Sequence, residues 1–287
     1  MKKVYVTGSR GMLGRALVPI FSEHYEVRGT DLPDADVRVA TDIHEDILRF
    51  APDIVIHLAS MTDVDGCELD PEQADISNRA GTENVAKACL ECDAVMGYVS
   101  TGMIYNGLKP YPYIEYDKPD PISVYGRTKF EGELAMRSIL KRYYIFNTCW
   151  IFGGGAVDKK FVARIIDMAR NNPSIRIVDD KLGSPTYTVD LASRILRLIG
   201  DGVPFGRYHC VNSGCVSRYE VAGEIIKAAG IEGCEVLPVP STEFPLPAPR
   251  PAMEGMSNYA MSLLGMERMR DWRTALHEYV TSELSSD

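Results

Sequence analysis

Lys3-Val4-Tyr5-Val6-Thr7-Gly8-Ser9-Arg10-Gly11-Met12-Leu13-Gly14 is the stretch from which the fold can be read. A short β-rich run meets a turn with glycines at 8, 11 and 14, and an apolar helical pattern then covers residues 12–21. Placed between a strand and a helix, such a turn is a phosphate cradle. Gly8 permits the tight turn, Gly11 lets a pyrophosphate approach the backbone, and Gly14 lets the helix pack on the sheet. The helix start, with Met12 and Leu13, offers free N–H groups and partial positive charge to phosphates. The stretch predicts a dinucleotide-binding site.

Outward from this turn, strand and helix alternate. Strands are predicted over residues 26–31 and 37–41. A helix over 44–50 stops before Pro52. The run Asp53-Ile54-Val55-Ile56-His57-Leu58-Ala59 reads as a strand buried on both faces of a parallel sheet. A long helix over 71–92 precedes a strand over 95–101 and a Tyr/Pro-rich loop over 105–121. A helix from Ser123, a strand over 144–151, a helix over 157–170 and a strand over 175–178 follow. This rhythm predicts an α/β fold, a doubly wound parallel sheet of Rossmann type. Later come a helix over 189–199, a strand over 207–211, a helix over 218–229, a strand over 235–239 and a last helix over 271–284. Six prolines crowd the loop between 238 and 251. We expect a dinucleotide-binding domain over 1–170 and a smaller C-terminal substrate-binding part over 171–287, with interleaving elements at the cut.

Composition narrows the function. The chain has 287 residues, 45% hydrophobic and 25% charged, which excludes disorder, collagen and coiled coil. Its net charge of −9 and the lack of a Lys/Arg cluster argue against nucleic acid as a partner. No apolar run reaches the roughly 18 residues of a membrane span, and the N-terminal apolar stretch is too short for a signal peptide. A cytoplasmic location is expected. The seven cysteines are scattered, and the single CxxC, Cys89 and Cys92, lies in a helical pattern as two reduced thiols. No metal site is expected.

Two further features carry chemistry. Asp31, at the end of the second strand, can accept hydrogen bonds from adenosine ribose hydroxyls, which favours NAD(H). Arg10 and Arg28 could each pair with a 2′-phosphate, so NADP(H) stays open. Asp42 and Ile43 could bracket the adenine. Tyr125 and Lys129, in Tyr125-Gly126-Arg127-Thr128-Lys129, share a helix face at i and i+4. A free phenol, with a pKa of ~10, is a poor acid at neutral pH, and a nearby ammonium lowers that value.

With Thr7-Gly8…Gly14, Asn78-Arg79-Ala80-Gly81-Thr82-Glu83-Asn84-Val85 and Tyr125…Lys129, the chain resembles the extended short-chain dehydrogenase/reductase family. The segments Pro121–Glu133, Trp150-Ile151-Phe152-Gly153, Gly183-Ser184-Pro185-Thr186 with Asp190-Leu191-Ala192, Gly206-Arg207-Tyr208-His209 and Arg250-Pro251 extend the likeness over nearly the whole chain. They bring it nearest to the branch that reduces nucleotide-linked 4-keto-6-deoxy sugars. The resemblance implies NAD(P)H-dependent reduction, above all of dTDP-4-dehydrorhamnose to dTDP-L-rhamnose. It implies Tyr125 as general acid, Lys129 on the nicotinamide ribose and Thr101 on the substrate carbonyl. It places Leu58, Ala59, Ser60, Thr62 and Val99 along the cofactor, and Gly102, Trp150 and Arg250 on the substrate. It also allows a homodimer.

Two segments depart from that pattern. Where the family has Asp-Tyr-Val-Phe after Ser-Thr, this chain has Gly102-Met103-Ile104-Tyr105, without the carboxylate. Where it has Asn-Ser after Arg-Pro, this chain has Ala252-Met253-Glu254-Gly255-Met256-Ser257. Gly102-Met103 cannot do the work of the Asp-Glu pair of sugar-nucleotide dehydratases. A nucleotide-sugar epimerase and a non-catalytic NAD(P)-binding regulatory subunit remain as alternatives.

Overall fold

The computed structural model describes residues 1–155, 158 and 160–284. The strands are β1 Lys3–Thr7, β2 Glu26–Thr30, β3 Ile54–His57, β4 Val95–Thr101, β5 Tyr143–Thr148, β6 Ile151–Phe152, β7 Ser174–Val178, β8 Leu182–Gly183, β9 Thr186–Tyr187, β10 Gly206–His209, β11 Val216–Ser217 and β12 Glu235–Val239. The α-helices are α1 Met12–Ser22, α2 Ala40–Phe50, α3 Val64–Leu69, α4 Pro71–Asp75, α5 Gly81–Glu91, α6 Val124–Ile139, α7 Phe161–Asn171, α8 Thr188–Gly200, α9 Arg218–Ala228, α10 Tyr259–Leu263 and α11 Trp272–Tyr279. Six strands form the main sheet in the order β10-β5-β4-β3-β1-β2, every pair parallel. The strand order reverses at β1, so the crevice beyond the carboxyl ends of β1 and β3 is where such a sheet binds ligands.

Each face of the sheet has its own core. Helices α1 and α8 cover one side through Leu13, Leu17, Leu191 and Ile195. Helices α2, α5 and α6 cover the other through Ile43, Ile47, Val85 and Met136. In β3, Ile54, Val55, Ile56 and His57 are all buried, as a strand covered on both faces requires. A third core joins α7, α9 and α11 to the parallel pair β7–β12. Strand β10 lies beyond residue 170, yet it pairs with β5 in the main sheet.

Several predicted elements differ in detail. Residues 37–41 form a turn that runs into α2, not a strand; Val37 instead packs in the core of that face. The helix predicted over 71–92 is one rod interrupted by a π-helical turn, Ile76–Ala80. The strand predicted over 144–151 breaks at Trp150, whose φ of 44° is left-handed. Residue 157, where the next helix was expected to start, lies outside the described residues; the helix runs over Phe161–Asn171. Among the described residues, no helix is long and apolar enough to cross a membrane.

Candidate active site

The site begins with how β1 meets β3. Thr7 Oγ1 accepts the N–H groups of Leu58 and Ala59 at 3.1 and 3.2 Å, and lies 2.7 Å from His57 Nδ1. Burial pushes His57 down to about 3, so it serves as a neutral bridge, its other nitrogen on Thr82. A Cβ on Gly8 would stand 2.7 Å from Ala59 N, and one on Gly14 2.5 Å from the carbonyls of Gly8 and Ser9. These two glycines are required by the packing itself. Gly11 is different: its Cβ would meet only Gly8 O, at 3.3 Å. It is the exposed N-cap of α1, with no side-chain cap and no acidic residue in the first turn. The freedom at Gly11 faces outward, and the uncapped N–H groups suit a phosphate.

Beside this turn lies a cleft of about 1590 Å³. That exceeds the ~300–1,000 Å³ of an ordinary single-ligand pocket and suits two ligands side by side. Gly8, residues 10–14, Asp31, residues 58–60, Thr62, Val99, Thr101, Tyr125, Lys129, Trp150 and Arg250 all line it. Besides Arg28, three expected residues do not. Ile43 is fully buried in the core, and Asp42 turns its carboxylate to the Asp36 N–H at 2.7 Å. The loop that Asp42 holds puts Asp36, Val37 and Arg38 on the cleft wall in their place. Gly102 is buried in a 3₁₀ turn behind the wall.

The arginines divide. Arg28 is bound to Asp46, Nη2 to Oδ1 at 2.6 Å, and the same carboxylate accepts the Tyr5 hydroxyl. Held on Asp46, Arg28 stands outside the cleft lining. Arg10 stays at the cleft, its guanidinium on Leu32 O and Asp34 and its backbone N–H on Asp31 at 2.9 Å. Arg38, which the sequence reading did not single out, joins it there, paired with Asp36.

The reacting end is assembled by close packing of α6. Ser123 caps the helix by accepting the Gly126 N–H at 3.2 Å. A Cβ at Gly126 would come within 2.2 Å of Met103 O, so glycine there lets the first turn of α6 press against the turn after β4. That contact brings Tyr125 to Thr101. Thr101 Oγ1 is held by the Met103 N–H at 3.2 Å. Burial pushes the Tyr125 phenol well up, and a hydrogen bond with Thr101 pulls the other way. Tyr125 is therefore a protonated phenol, the state a proton donor needs. Lys129, 3% exposed, donates to Val99 O at 2.9 Å with its Nζ 4.2 Å from the centre of the Tyr98 ring. Burial pushes its ammonium down to about 7. The ammonium expected to lower the Tyr125 phenol is thus tied to β4.

The π-helical turn contributes Asn78. Its Oδ1 accepts Ser60 Oγ–H and the Met61 N–H, at 2.7 and 2.8 Å, while Nδ2 donates to Thr128 Oγ1 at 3.1 Å. One buried amide thereby clamps the cofactor-side loop to α6 between Tyr125 and Lys129; such bulges are frequent at functional sites. Its signal was the Asn78–Val85 motif.

On the far side, Trp150 stacks under Arg218, whose Cζ lies 3.6 Å from the ring centre. Arg250 is bound to Asp65. Arg218, Lys181 and Glu254 also line the cleft, and the sequence reading gave none of them a role. For Glu254 the available signal was the departure at residues 252–257.

A doubly wound sheet with this glycine turn and a Thr-Tyr-Lys set at the end of β4 defines an extended short-chain dehydrogenase/reductase. Within that class, the chain belongs to the family described as RmlD substrate binding domain, which matches residues 1–285. A dTDP-4-dehydrorhamnose reductase of Mycolicibacterium smegmatis is 34% identical over 285 residues, covering 98% of this chain and 86% of that protein. The spore coat polysaccharide biosynthesis protein SpsK of Bacillus subtilis is 34% identical, covering 100% and 99%. A dTDP-4-dehydrorhamnose reductase of Bacillus anthracis, solved in complex with NADP, superposes with a TM-score of 0.93 at 31% identity, covering 98% and 99%.

Proposed function

We propose that this chain is an NAD(P)H-dependent reductase of a nucleotide-linked 4-keto-6-deoxy sugar, with dTDP-4-dehydrorhamnose reduced to dTDP-L-rhamnose. The observation that carries it is the meeting of Tyr125, Thr101 and Lys129 in one cleft with the uncapped α1 start. The full-length relatives named for that reaction support it.

The site fits a dinucleotide: Gly11 and the first N–H groups of α1 would hold its phosphates, and Asp31 with Arg10 and Arg38 would face its adenosine end. When bound, the reduced cofactor supplies the hydride. The chain's own residues do the rest. Thr101 Oγ and Tyr125 Oη form a paired hydroxyl site for a carbonyl oxygen. Tyr125 Oη gives its proton to that oxygen as it becomes an alcohol. Lys129, anchored on Val99 O, presents its amine beneath the cofactor pocket, where burial holds its charge in balance near neutral pH. Trp150 offers a flat wall, and its left-handed backbone costs ~1–2 kcal/mol, consistent with a position set by function. Arg218 and Lys181 supply positive charge for the substrate's diphosphate.

The test is absorbance of NADPH, then NADH, with purified protein and dTDP-4-dehydrorhamnose. Oxidation that requires the sugar and collapses in Tyr125→Phe supports the reading. Binding of both without oxidation would overturn it. The reading includes a cytoplasmic location and a homodimer, the latter open to analytical ultracentrifugation.

A further inference from the structure

Glu254 is 8% exposed and lines the cleft, yet its carboxyl has no strong partner. Among the described residues its hydrogen bond is from the Cys149 thiol, a weak donor, 3.9 Å from Oε2. Trp150 Nε1 lies beside the carboxyl but finds no partner in hydrogen-bond geometry. No Lys or Arg nitrogen among the described residues makes an ion pair with it; the charges of Arg218, Arg250 and Lys181 reach it, but none of them donates a hydrogen bond to it. Lys181 Nζ donates to Arg250 O at 2.9 Å, Arg250 holds Asp65, and Arg218 stacks on Trp150. A buried carboxyl without donors is costly and calls for an explanation.

The backbone shows that the position is built. The Glu254 N–H donates to Leu182 O at 2.7 Å, and Ala252 O accepts from Leu182 N at 2.8 Å, pinning the segment to β8. Its carbonyl closes on the turn after Thr101: a Cβ at Gly102 would lie 2.9 Å from Glu254 O and 3.3 Å from Met256 Cε. Gly102 and the 252–257 segment are therefore one structural unit. Where the strand end loses a carboxylate, the C-terminal segment brings one in. Glu254 is also close enough for its charge to be felt at the Tyr125 hydroxyl.

We infer that Glu254 is the sugar-reading residue of this chain: its carboxyl accepts hydrogen bonds from hydroxyl groups of the bound sugar, next to the carbon that is reduced. A phosphate would be repelled by this group, so it faces the ring and leaves the diphosphate to Arg218 and Lys181. Burial also pushes the carboxyl up, as expected of a group awaiting donors. The inference rests on the proposed function for the identity of the sugar.

The experiment is titration calorimetry of the full chain with dTDP and with dTDP-L-rhamnose, for wild type, Glu254→Gln and Glu254→Ser. The affinity ratio of the two ligands isolates the sugar. We expect wild type to prefer dTDP-L-rhamnose and both variants to lose about tenfold or more of that preference, as when a buried polar group loses its partner, while still binding dTDP. Thermal melts identify folded variants, and either one suffices. A wild type without preference, or a folded variant that keeps it, overturns the inference. The ratio needs no turnover, so absent NAD(P)H oxidation would count against the proposed reaction alone.

Discussion

Arg250 and Asp65, 185 positions apart in sequence, meet across the cleft with Nη2 and Oδ2 3.0 Å apart. The other Asp65 oxygen accepts the Ala248 N–H at 3.1 Å. One carboxylate at the start of α3 thus holds both the backbone and the side chain of the proline-rich segment, which lines the cleft with Phe244 and Leu246. Arg250, expected to touch substrate, lines the cleft and is anchored there by Asp65. The pair is partly exposed, which limits its value to roughly 1 kcal/mol. Asp65→Ala should raise KM for the nucleotide sugar by about 3–10-fold, leave kcat within about twofold and leave NADPH binding unchanged. Steady-state kinetics in both substrates would check this split.

Tyr125→Phe removes the proton donor and leaves the ring in place. A well-placed general acid contributes roughly 10²–10⁴ in rate. We expect kcat to fall by about that factor, with the melting temperature and dTDP affinity kept. A fall of less than tenfold would show that the proton comes from elsewhere.

Lys129 carries a cost in stability. Its folded pKa of about 7 lies below the ordinary lysine value of 10.5. Between these values the unfolded chain binds a proton that the folded chain does not, so stability rises with pH. The penalty is full below pH 7 and absent above about 10.5. Lys129→Met should therefore raise the melting temperature most below pH 7, with the gain shrinking as pH rises toward 10.5. The same variant should lose most activity. A gain that grows with pH would contradict the burial argument.

The glycines of the first turn should separate by phenotype. Gly14→Ala puts a methyl against two backbone carbonyls and should destabilise the fold by about 2 kcal/mol or more. Gly11→Ala meets one contact at 3.3 Å and faces the cleft. It should keep its melting temperature and bind NADPH about tenfold more weakly. Paired thermal melts and fluorescence titrations would distinguish the two.

The glycine turn, the β3 run and the Tyr125–Lys129 spacing were legible because each is a local pattern with one physical meaning. Asp42 and Ile43 fall away from the cleft because residues 37–41, strand-like in sequence, fold as a turn leading into α2. Arg28 and Arg250 looked free in sequence because their partners, Asp46 and Asp65, are brought to them only by folding. Glu254 stands out in sequence only as part of the departure at 252–257, because its meaning depends on a backbone contact with Gly102, 152 positions earlier. Charge patterns show which groups exist, and only topology shows which are already spoken for.

The return of β10 to the edge of β5 has a practical consequence. A fragment ended at residue 170 would lack that strand and also α8, whose Leu191, Ile195 and Leu198 cover α1. It would expose an open parallel edge beside an uncovered apolar face, the combination that favours aggregation. Cofactor binding in this chain is thus not a detachable module. Chimeras that exchange substrate preference between relatives need to carry residues 188–209 with the N-terminal half, grafting only the segments that meet the sugar.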